Sequence, residues 1–489
     1  MRGDEKFPSH QLPQKRTHPA SEGEGNSHGG SASGGAYPLP APYRTFLLDN
    51  GVDPDVYLAP EPPRYIRTNP RRFDSADPSA RTKLEQELGH SLEPVRWLDP
   101  PTSPSLSPGA ASGSSVWSCL YSLPNSVKIA GSQAYKSGQI YGIDAASAAA
   151  VRALECRPGD RVLDICCAPG AKLCMICDEM NLEGLVVGID LSKHRLAACK
   201  TLVKKYGITN ADLVEADATT WTPHDDTAQP PTQQQVDTPP AALAEPPESL
   251  KFDRVIVDAE CTHDGSFKHL SKFQHQWGWE TFAKRVLDPV RISTLTSLQQ
   301  RLLLNGFRLL KQGGVLVYST CSFCVSQNEA IVESLLKRYP DAARLDPLPF
   351  GLEGPPCRTS SADKQPTDDP AEMAPSPAPR CTPSRLTVPA RPSLLEADGP
   401  AGSDGRHCTA RFDPKLSHTG GLFIARLTKT KAIEPLVVLP THEGTSECVK
   451  DEMVIKQEPQ DSGPAPPPEA ATPVDVHLPI KREGEQADG

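Results

Sequence analysis

The chain has 489 residues and a net charge of −10. Proline is abundant at 52 residues and aromatics supply only 6% of the chain, which excludes one packed core along its whole length. The acidic total does not exclude a nucleic-acid partner. Residues 432–489 hold 12 acidic and 4 basic side chains, and 222–250 hold five acidic and no basic ones, so the remainder sums to +3. Charge on solvated segments is screened within about 8 Å at physiological salt.

No apolar run approaches the roughly 18 residues of a membrane span. The N-terminal MRGDEKFPSHQLPQKRTHP lacks the apolar centre of a signal peptide, and Asp4 and Glu5 suit a mitochondrial presequence poorly. The 14 cysteines show no even framework spacing in a chain far longer than disulfide-stapled domains. These features predict a reducing intracellular setting, nuclear, nucleolar or cytoplasmic in preference to mitochondrial.

In chain order, residues 1–35 are rich in Gly, Ser and His and read as disordered. A small ordered α/β region is expected over 43–100, containing PRYIRTNPRRF (Pro63–Phe73), where four arginines surround two aromatics. A Pro/Ser/Gly linker covers 101–115, and a second domain is expected over 116–429. Within it, strands are predicted at Val162–Cys166, Leu185–Asp190, Ala211–Asp217, Phe252–Glu260 and Val315–Cys321. Helices are predicted at Lys172–Met180, Ser192–Gly207, Ser293–Leu310 and Asn328–Tyr339, and a last strand lies in Arg411–Lys429. Strands alternating with such helices imply βαβ units and a mostly parallel, doubly wound sheet. Proline-rich inserts at 222–250 and 355–403 and an acidic tail at 430–489 read as disordered. No internal repeat is visible.

DICCAPGAK (Asp164–Lys172) falls where a strand turns into a helix, a point at which an open α/β sheet lets backbone approach a ligand. It is neither GxGxxG nor a P-loop, so it suits a ligand with little phosphate to cradle. Asp190 ends the second strand, 20 residues after Gly170, where a carboxylate can accept ribose hydroxyls. Asp217 ends the third strand, placed to meet an adenine edge. A single strand-end Asp is as often a helix cap; three beside one Gly-turn favour a nucleoside.

DICCAPGAK resembles the DxCAAPGGK loop of the Sun/Fmu-type (RsmB-like) RNA cytosine-5 methyltransferases, with Cys167 in place of Ala and Ala171 in place of the second Gly. KSGQIYGIDAASAAAVRAL (Lys136–Leu154) is similar to that family's lead-in segment and HTGGLFIARLTK to its last strand, so the likeness spans about 63–429 outside the inserts. It implies an α/β class I Rossmann-like methyltransferase fold with S-adenosylmethionine as cofactor. Cys166, Cys167, Ala168, Pro169, Gly170, Ala171 and Lys172, together with Asp190, Arg195, Asp217 and Asp258, are the cofactor contacts so expected.

C5 of cytosine is a poor nucleophile until a thiolate adds to C6, so C5 methylation calls for an activated cysteine. Cys321 ends the fifth strand in YSTCS, and Cys261 follows the fourth in VDAEC. One buried cysteine is ordinarily a small hydrophobe; two at neighbouring strand ends open on one crevice. By the resemblance Cys321 is the nucleophile, Cys261 assists release and Asp258 contacts the target base. The chain departs from the family's DAPC at Glu260, a carboxylate that would raise a nearby thiol pKa. The sequence leaves open whether His263 or a neighbouring basic group offsets it. THDGS (Thr262–Ser266) departs from the family's Ser/Gly-rich continuation and marks a divergent member. The CxxC pairs Cys174/Cys177 and Cys321/Cys324 stand 143 residues apart, one on a helix, so zinc is not expected. SQNE (Ser326–Glu329) reads as a capping box.

Two segments interleave basic and aromatic residues, Pro63–Phe73 and Lys268–Arg291, and are candidates for RNA phosphates and unpaired bases. The second also fits a solvated helix with Trp277 and Trp279 turned inward. IKQE (Ile455–Glu458) and IKRE (Ile480–Glu483) resemble sumoylation sites. The leading expectation is C5 methylation of cytosine in tRNA or rRNA. Beside it stand an RNA-binding protein that keeps the fold with weak or lost catalysis, and a methyltransferase for another acceptor. DNA enzymes carry the nucleophile after a strand-four proline, and Glu260 argues against DNA.

Overall fold

The computed structural model describes residues 39–58, 60–74, 77–98, 120–223, 245–352, 387–388, 390–391, 393 and 407–433. The expected disordered N-terminus, the linker, most of both inserts, the tail beyond Ile433 and its two IKxE motifs lie outside them. Among the described residues no helix is long and apolar enough to cross a membrane.

The chain opens with α1 (Ala41–Asp49), β1 (Arg64–Thr68), α2 (Pro78–Leu88), β2 (Glu93–Pro94), β3 (Leu120–Leu123), α3 (Gln133–Lys136) and β4 (Ile140–Gly142). α2 follows the capping rules closely. The Asp77 side chain accepts from Ser79 N–H, Pro78 opens the first turn and Gly89 ends it at φ 69°. The strands form an antiparallel sheet in the order β2-β3-β1-β4. This sheet takes strands from both sides of the expected linker, so residues 120–142 pair with the N-terminal region rather than with the second sheet.

The second sheet follows α4 (Ala145–Leu154), whose Asp144 cap accepts from Ala146 N–H and whose six alanines are wholly buried. In order come β5 (Arg161–Ile165), α5 (Ala171–Glu179), β6 (Leu185–Asp190), α6 (Lys193–Tyr206), β7 (Ala211–Glu215), β8 (Phe252–Asp258), α7 (Phe267–Lys272), α8 (Trp279–Phe282), α9 (Pro289–Leu309) and β9 (Leu310–Thr320). α10 (Glu329–Arg338), β10 (Ala343–Leu345), β11 (Gly351–Leu352), β12 (Thr387–Val388), β13 (Thr409–Phe412), α11 (Pro414–Ser417) and β14 (Leu422–Lys429) complete it. The sheet order is β10-β14-β9-β8-β5-β6-β7, with β13 on β14. β9 through β7 run parallel, and β14, β13 and β10 are antiparallel. Side chains alternate between two cores: Val162 and Ile256 pack on the α4–α6 face, Leu163, Ile165, Val255 and Val257 on the α9–α10 face. The mostly parallel α/β sheet expected from the sequence is therefore present.

Three expectations change. The 268–291 segment is not one helix; a wide turn at 273–277 and Gly278 at φ 79° separate α7 from α8, and a second wide turn at 283–287 separates α8 from α9. α9 starts earlier than expected because Asp288 caps it and Pro289 fits its first position. The 355–403 insert is partly built in, since β12 pairs with β11 and Arg391 bridges to Arg411 across the β13 edge.

Candidate active site

The strand-to-helix loop is held from several sides. Cys166 lies at φ 64° and Gly170 at φ 104°. A Cβ on Gly170 would stand 2.6 Å from Cys199 Sγ, so both backbone and space call for glycine. Cys167 N–H donates to Ile189 O of β6 at 3.0 Å. Asp190 accepts from Ala168 N–H at 3.3 Å and from Ser192 N–H at 3.0 Å. Arg195 donates to Ala168 O at 2.8 Å and lies 3.4 Å from the Asp190 carboxylate. Asp190 and Arg195, expected as cofactor contacts, thus also brace the Ala168–Pro169 turn. Asp217 lies two residues past β7, exposed, and accepts from Thr219 N–H at 2.9 Å, so a capping bond accompanies its expected ligand role.

Asp164, the first residue of the DICCAPGAK loop, was not among the cofactor contacts expected from the sequence. It is 1% exposed and both its carboxylate oxygens lack a hydrogen-bond partner. Burial, with Asp258 and Asp190 nearby, pushes its pKa well above the usual carboxylate range. An unpaired buried acid beside a braced Gly-turn asks for a cation or a donor. The ammonium and sulfonium of S-adenosylmethionine would meet that need, so the residues present fit this cofactor. The signal in the sequence was an acidic residue inside a strand buried on both faces.

At the end of β8, Asp258 accepts from Lys172 Nζ at 2.9 Å and from Ser319 Oγ at 2.7 Å. Lys172 also donates to Ser147 Oγ of α4 at 3.0 Å. Burial opposes the ammonium, but Asp258 outweighs it and raises the lysine pKa. Lys172, expected as a loop contact of the cofactor, is therefore paired with the acid expected at the target base.

Beyond Asp258 the two cysteines meet. β8 and β9 are parallel neighbours, so the loops after them leave the sheet side by side. Cys321 Sγ lies 3.4 Å from Cys261 Sγ and 2.9 Å from His263 Nδ1, and Cys261 Sγ lies 3.6 Å from the same nitrogen. Cys261 is 1% exposed and Cys321 is half-buried. The bond from the Cys261 thiol, against the effect of burial and with help from His263, holds the Cys321 pKa well below an ordinary thiol's. Burial and the facing Cys321 sulfur push Cys261 well up. Both shifts favour a thiolate at Cys321 over one at Cys261. Burial lowers the His263 pKa, yet Cys321, Glu260 and Asp264 together raise it. Glu260 is exposed, and its charge supports the imidazolium that faces Cys321. That answers the question its identity raised.

The geometry depends on a buried frame. Asp264, fully buried, accepts from Thr262 Oγ1, from Ser322 Oγ at 2.6 Å and from Phe323 N–H at 2.7 Å, joining the two cysteine loops. Its carbonyl accepts from Tyr43 and Tyr57 hydroxyls, both at 2.7 Å. Thr262 N–H donates to Gln327 Oε1 at 3.1 Å, and Gln299 Nε2 donates to Glu260 O at 2.7 Å. Gly265 N–H donates to Cys321 O at 3.0 Å, and Gly421 N–H to Gly265 O at 2.8 Å. A Cβ on Gly421 would stand 2.5 Å from the Phe323 ring and 2.8 Å from Gly265 Cα, so these three backbones meet without side chains between them.

Cys261, His263 and Cys321 offer ligand atoms within 4.8 Å of one another, the only such His/Cys/Asp/Glu group of three or more among the described residues. Two Zn–S bonds of about 2.3 Å at tetrahedral angles hold sulfurs ~3.8 Å apart. The 3.4 Å separation suits a hydrogen-bonded pair better. Cys174 and Cys177 are buried in the α5 core and Cys324 Sγ meets Ser326 Oγ at 3.0 Å. SQNE is not a capping box: Asn328 stands at the cap, its amide donating to Ser322 O at 2.8 Å, and Glu329 pairs with buried Arg411.

In the first basic segment the arginines also have structural partners. Arg67 is buried in β1, bonded to Tyr141 and 2.5 Å from Asp178 of α5, and Arg71 pairs with the same carboxylate. Arg72 donates to Ser137 O at 2.6 Å. Arg67 and Arg71 tie the small sheet to α5, while Arg71 and Arg72 remain exposed. In the second segment the His269 ring stacks on His263 at 4.8 Å, with Trp277 6.3 Å beyond it. Lys272 and Arg285 lie over Trp277 at 5.4 and 6.0 Å.

Known proteins are similar to this chain in sequence. A family model described as 16S rRNA methyltransferase RsmB/F matches residues 151–364. The ribosomal RNA small subunit methyltransferase F of Aeromonas hydrophila is 28% identical over 292 residues, 58% of this chain and 50% of the relative. The multisite-specific tRNA:(cytosine-C(5))-methyltransferase trm4b of Schizosaccharomyces pombe is 29% identical over 316 residues, 57% of this chain and 41% of the relative. A crystal structure of NSun6 from Pyrococcus horikoshii with SFG covers 76% of this chain and 92% of that one, at 19% identity and a TM-score of 0.47. The chain spans about half the length of the curated relatives it matches.

Proposed function

We propose, for a chain that carries a methyltransferase domain of the RsmB/F type over residues 151–364, that it methylates C5 of cytosine in RNA. The relatives named above act on rRNA or, in one case, on tRNA cytosine. S-adenosylmethionine supplies the methyl group when bound. Asp164, Asp190, Asp217 and the Cys166–Ala171 loop would hold it, with Arg195 bracing the loop.

One observation carries the reading: the Cys321 and Cys261 sulfurs lie 3.4 Å apart at neighbouring strand ends, beside the Lys172–Asp258 pair. Cys321, held as thiolate, adds to C6 of the base and makes C5 nucleophilic. Lys172 and Ser319 fix the Asp258 carboxylate toward the amino and N3 edge of the cytosine. After methyl transfer the C5 proton leaves, the C6–S bond breaks and its electron pair returns to Cys321. A base inside a duplex cannot reach this site, so an unpaired or flipped cytosine is the substrate. The stacked His263 and His269 rings and the neighbouring Trp277, with Lys272 and Arg285, are the side from which it is presented.

The test compares methyl transfer from labelled S-adenosylmethionine into total RNA by the native chain and by Cys321→Ala. The variant is expected to bind the cofactor with unchanged affinity by calorimetry and to transfer nothing. Cys261→Ala is expected to accumulate a covalent RNA adduct stable to denaturing gels. Full transfer by Cys321→Ala removes the mechanism, and methyl transfer into DNA alone removes the substrate. An RNA-binding protein without catalysis was favoured chiefly by Glu260, whose carboxylate faces solvent and supports the imidazolium.

A further inference from the structure

His263 takes no part in the scheme above, yet its Nδ1 reaches both sulfurs. Its placement is specific. The residue lies at φ 56°, a left-handed backbone that non-glycine residues adopt at a cost. The neighbouring Asp264 is locked by Thr262, Ser322 and Phe323, and the ring is stacked face to face on His269 with 13° between planes. A strained residue held so firmly, with one nitrogen between two thiols, has a use for both.

We infer that His263 serves the two cysteines in turn, first as the cation that keeps Cys321 a thiolate and then as the base that deprotonates Cys261. This rests on the proposed reaction. At rest the site holds Cys321 thiolate, Cys261 thiol and His263 imidazolium. When the Cys321 sulfur becomes bonded to C6 it is a neutral thioether, and the imidazolium has lost its counter-ion. His263 then releases its proton to water. The neutral ring takes the Cys261 proton, which leaves a Cys261 thiolate. That thiolate takes the C5 proton of the methylated base, the C6–S bond breaks, and the electron pair returns to Cys321. The site ends with Cys321 thiolate, Cys261 thiol and His263 imidazolium, and the one proton given to water is the proton lost from C5 overall.

The groups facing the ring account for this change of state. Cys321 and Cys261 come from the loops after β9 and β8. Glu260 and Asp264 add negative charge on the His263 loop, and Asp258 lies behind Cys321. On α7, burial together with the charge of His263, Lys272 and Lys268 lowers the His269 pKa to about 3, so His269 stacks as a neutral ring.

The first test needs neither RNA nor cofactor. Alkylation of Cys321 by iodoacetamide is followed by peptide mass spectrometry from about pH 6 to about pH 9. Native protein is expected to react at a rate nearly independent of pH. In His263→Gln the rate is expected to fall at least about tenfold at the low end and to climb about tenfold per pH unit toward an ordinary thiol near 8.5. A native profile that climbs like an ordinary thiol overturns the inference whatever the variant does. The second test is adduct release. His263→Gln and Cys261→Ala should slow it to a similar degree, and the double variant should be no slower than either. Additive slowing overturns the relay. Failure of methyl transfer with a flat native alkylation profile overturns the reaction and leaves the resting ion pair standing, so the two failures are distinguishable.

Discussion

Asp164 shows how a single buried acid links pH to ligand binding. Its carboxylate has no partner, and burial beside Asp258 raises its pKa above the ordinary value of 3.8. For an acid raised on folding, stability falls as pH climbs from the ordinary value through the raised one, because the buried group must then ionise. A cation docked against the carboxylate brings the pKa down again and cancels that loss. The thermal shift given by S-adenosylmethionine is therefore expected to be larger at about pH 8 than at about pH 5.5. Asp164→Asn should remove the difference and weaken binding by about 2 kcal/mol, some thirtyfold in Kd by calorimetry. An equal shift at both pH values in the native chain would remove this role for Asp164. From the sequence, Asp190 and Asp217 were singled out because strand ends open on the crevice. Asp164 was not, since alternation alone reads VLDIC as an apolar strand.

Between elements, the same residue types can serve opposite purposes, and only a distant partner decides. Arg67 and Arg71 beside Tyr65 and Phe73 have the composition of a nucleic-acid patch, yet Asp178, more than a hundred residues later, claims both guanidinium groups. A buried pair broken on one side leaves an unpaired charge and costs about 3–5 kcal/mol. Asp178→Asn is expected to lose about that much in urea unfolding, while Arg72→Gln, near the surface, should change little. Most of the parallel strands were readable because they are short, largely apolar runs, which length and pattern identify; β7, with exposed Asp212 and Glu215, is the exception. The one-helix reading of 268–291 failed because Gly278 and two wide turns fold the segment around the Tyr43, Phe273 and Phe282 rings. No local pattern carries that packing. Likewise SQNE has capping letters, but Glu329 answers to Arg411 and Asn328 to Ser322.

Across the molecule, residues from both ends of the described chain hold the thiol loops. Arg411 bonds both Glu329 oxygens, at 2.7 and 2.6 Å, and donates to Asn50 O at 2.9 Å and Phe323 O at 3.1 Å. It thereby joins β13, α10, the end of α1 and the Cys321–Cys324 turn. Arg411→Met should cost about 3–5 kcal/mol by strandng the buried Glu329 charge. It should also lower the alkylation rate of Cys321 at about pH 6 in protein that is still folded. Loss of stability without any change in Cys321 reactivity would show that Arg411 holds the fold and not the site. Tyr43 and Tyr57 do the same work from the N-terminal side, through the Asp264 carbonyl.

The contact of Gly265, Cys321 and Gly421 backbones has a consequence in time. Translation delivers Cys261 and Cys321 long before Gly421, which follows Cys321 by a hundred residues. Domains assemble from the N-terminal side as the ribosome works. Throughout the making of the 355–403 insert, the nascent chain carries both sulfurs while the strand that closes over them does not yet exist. The backbone contact beside Cys321 is thus completed only after HTGG has been made and the last strand pairs with β9.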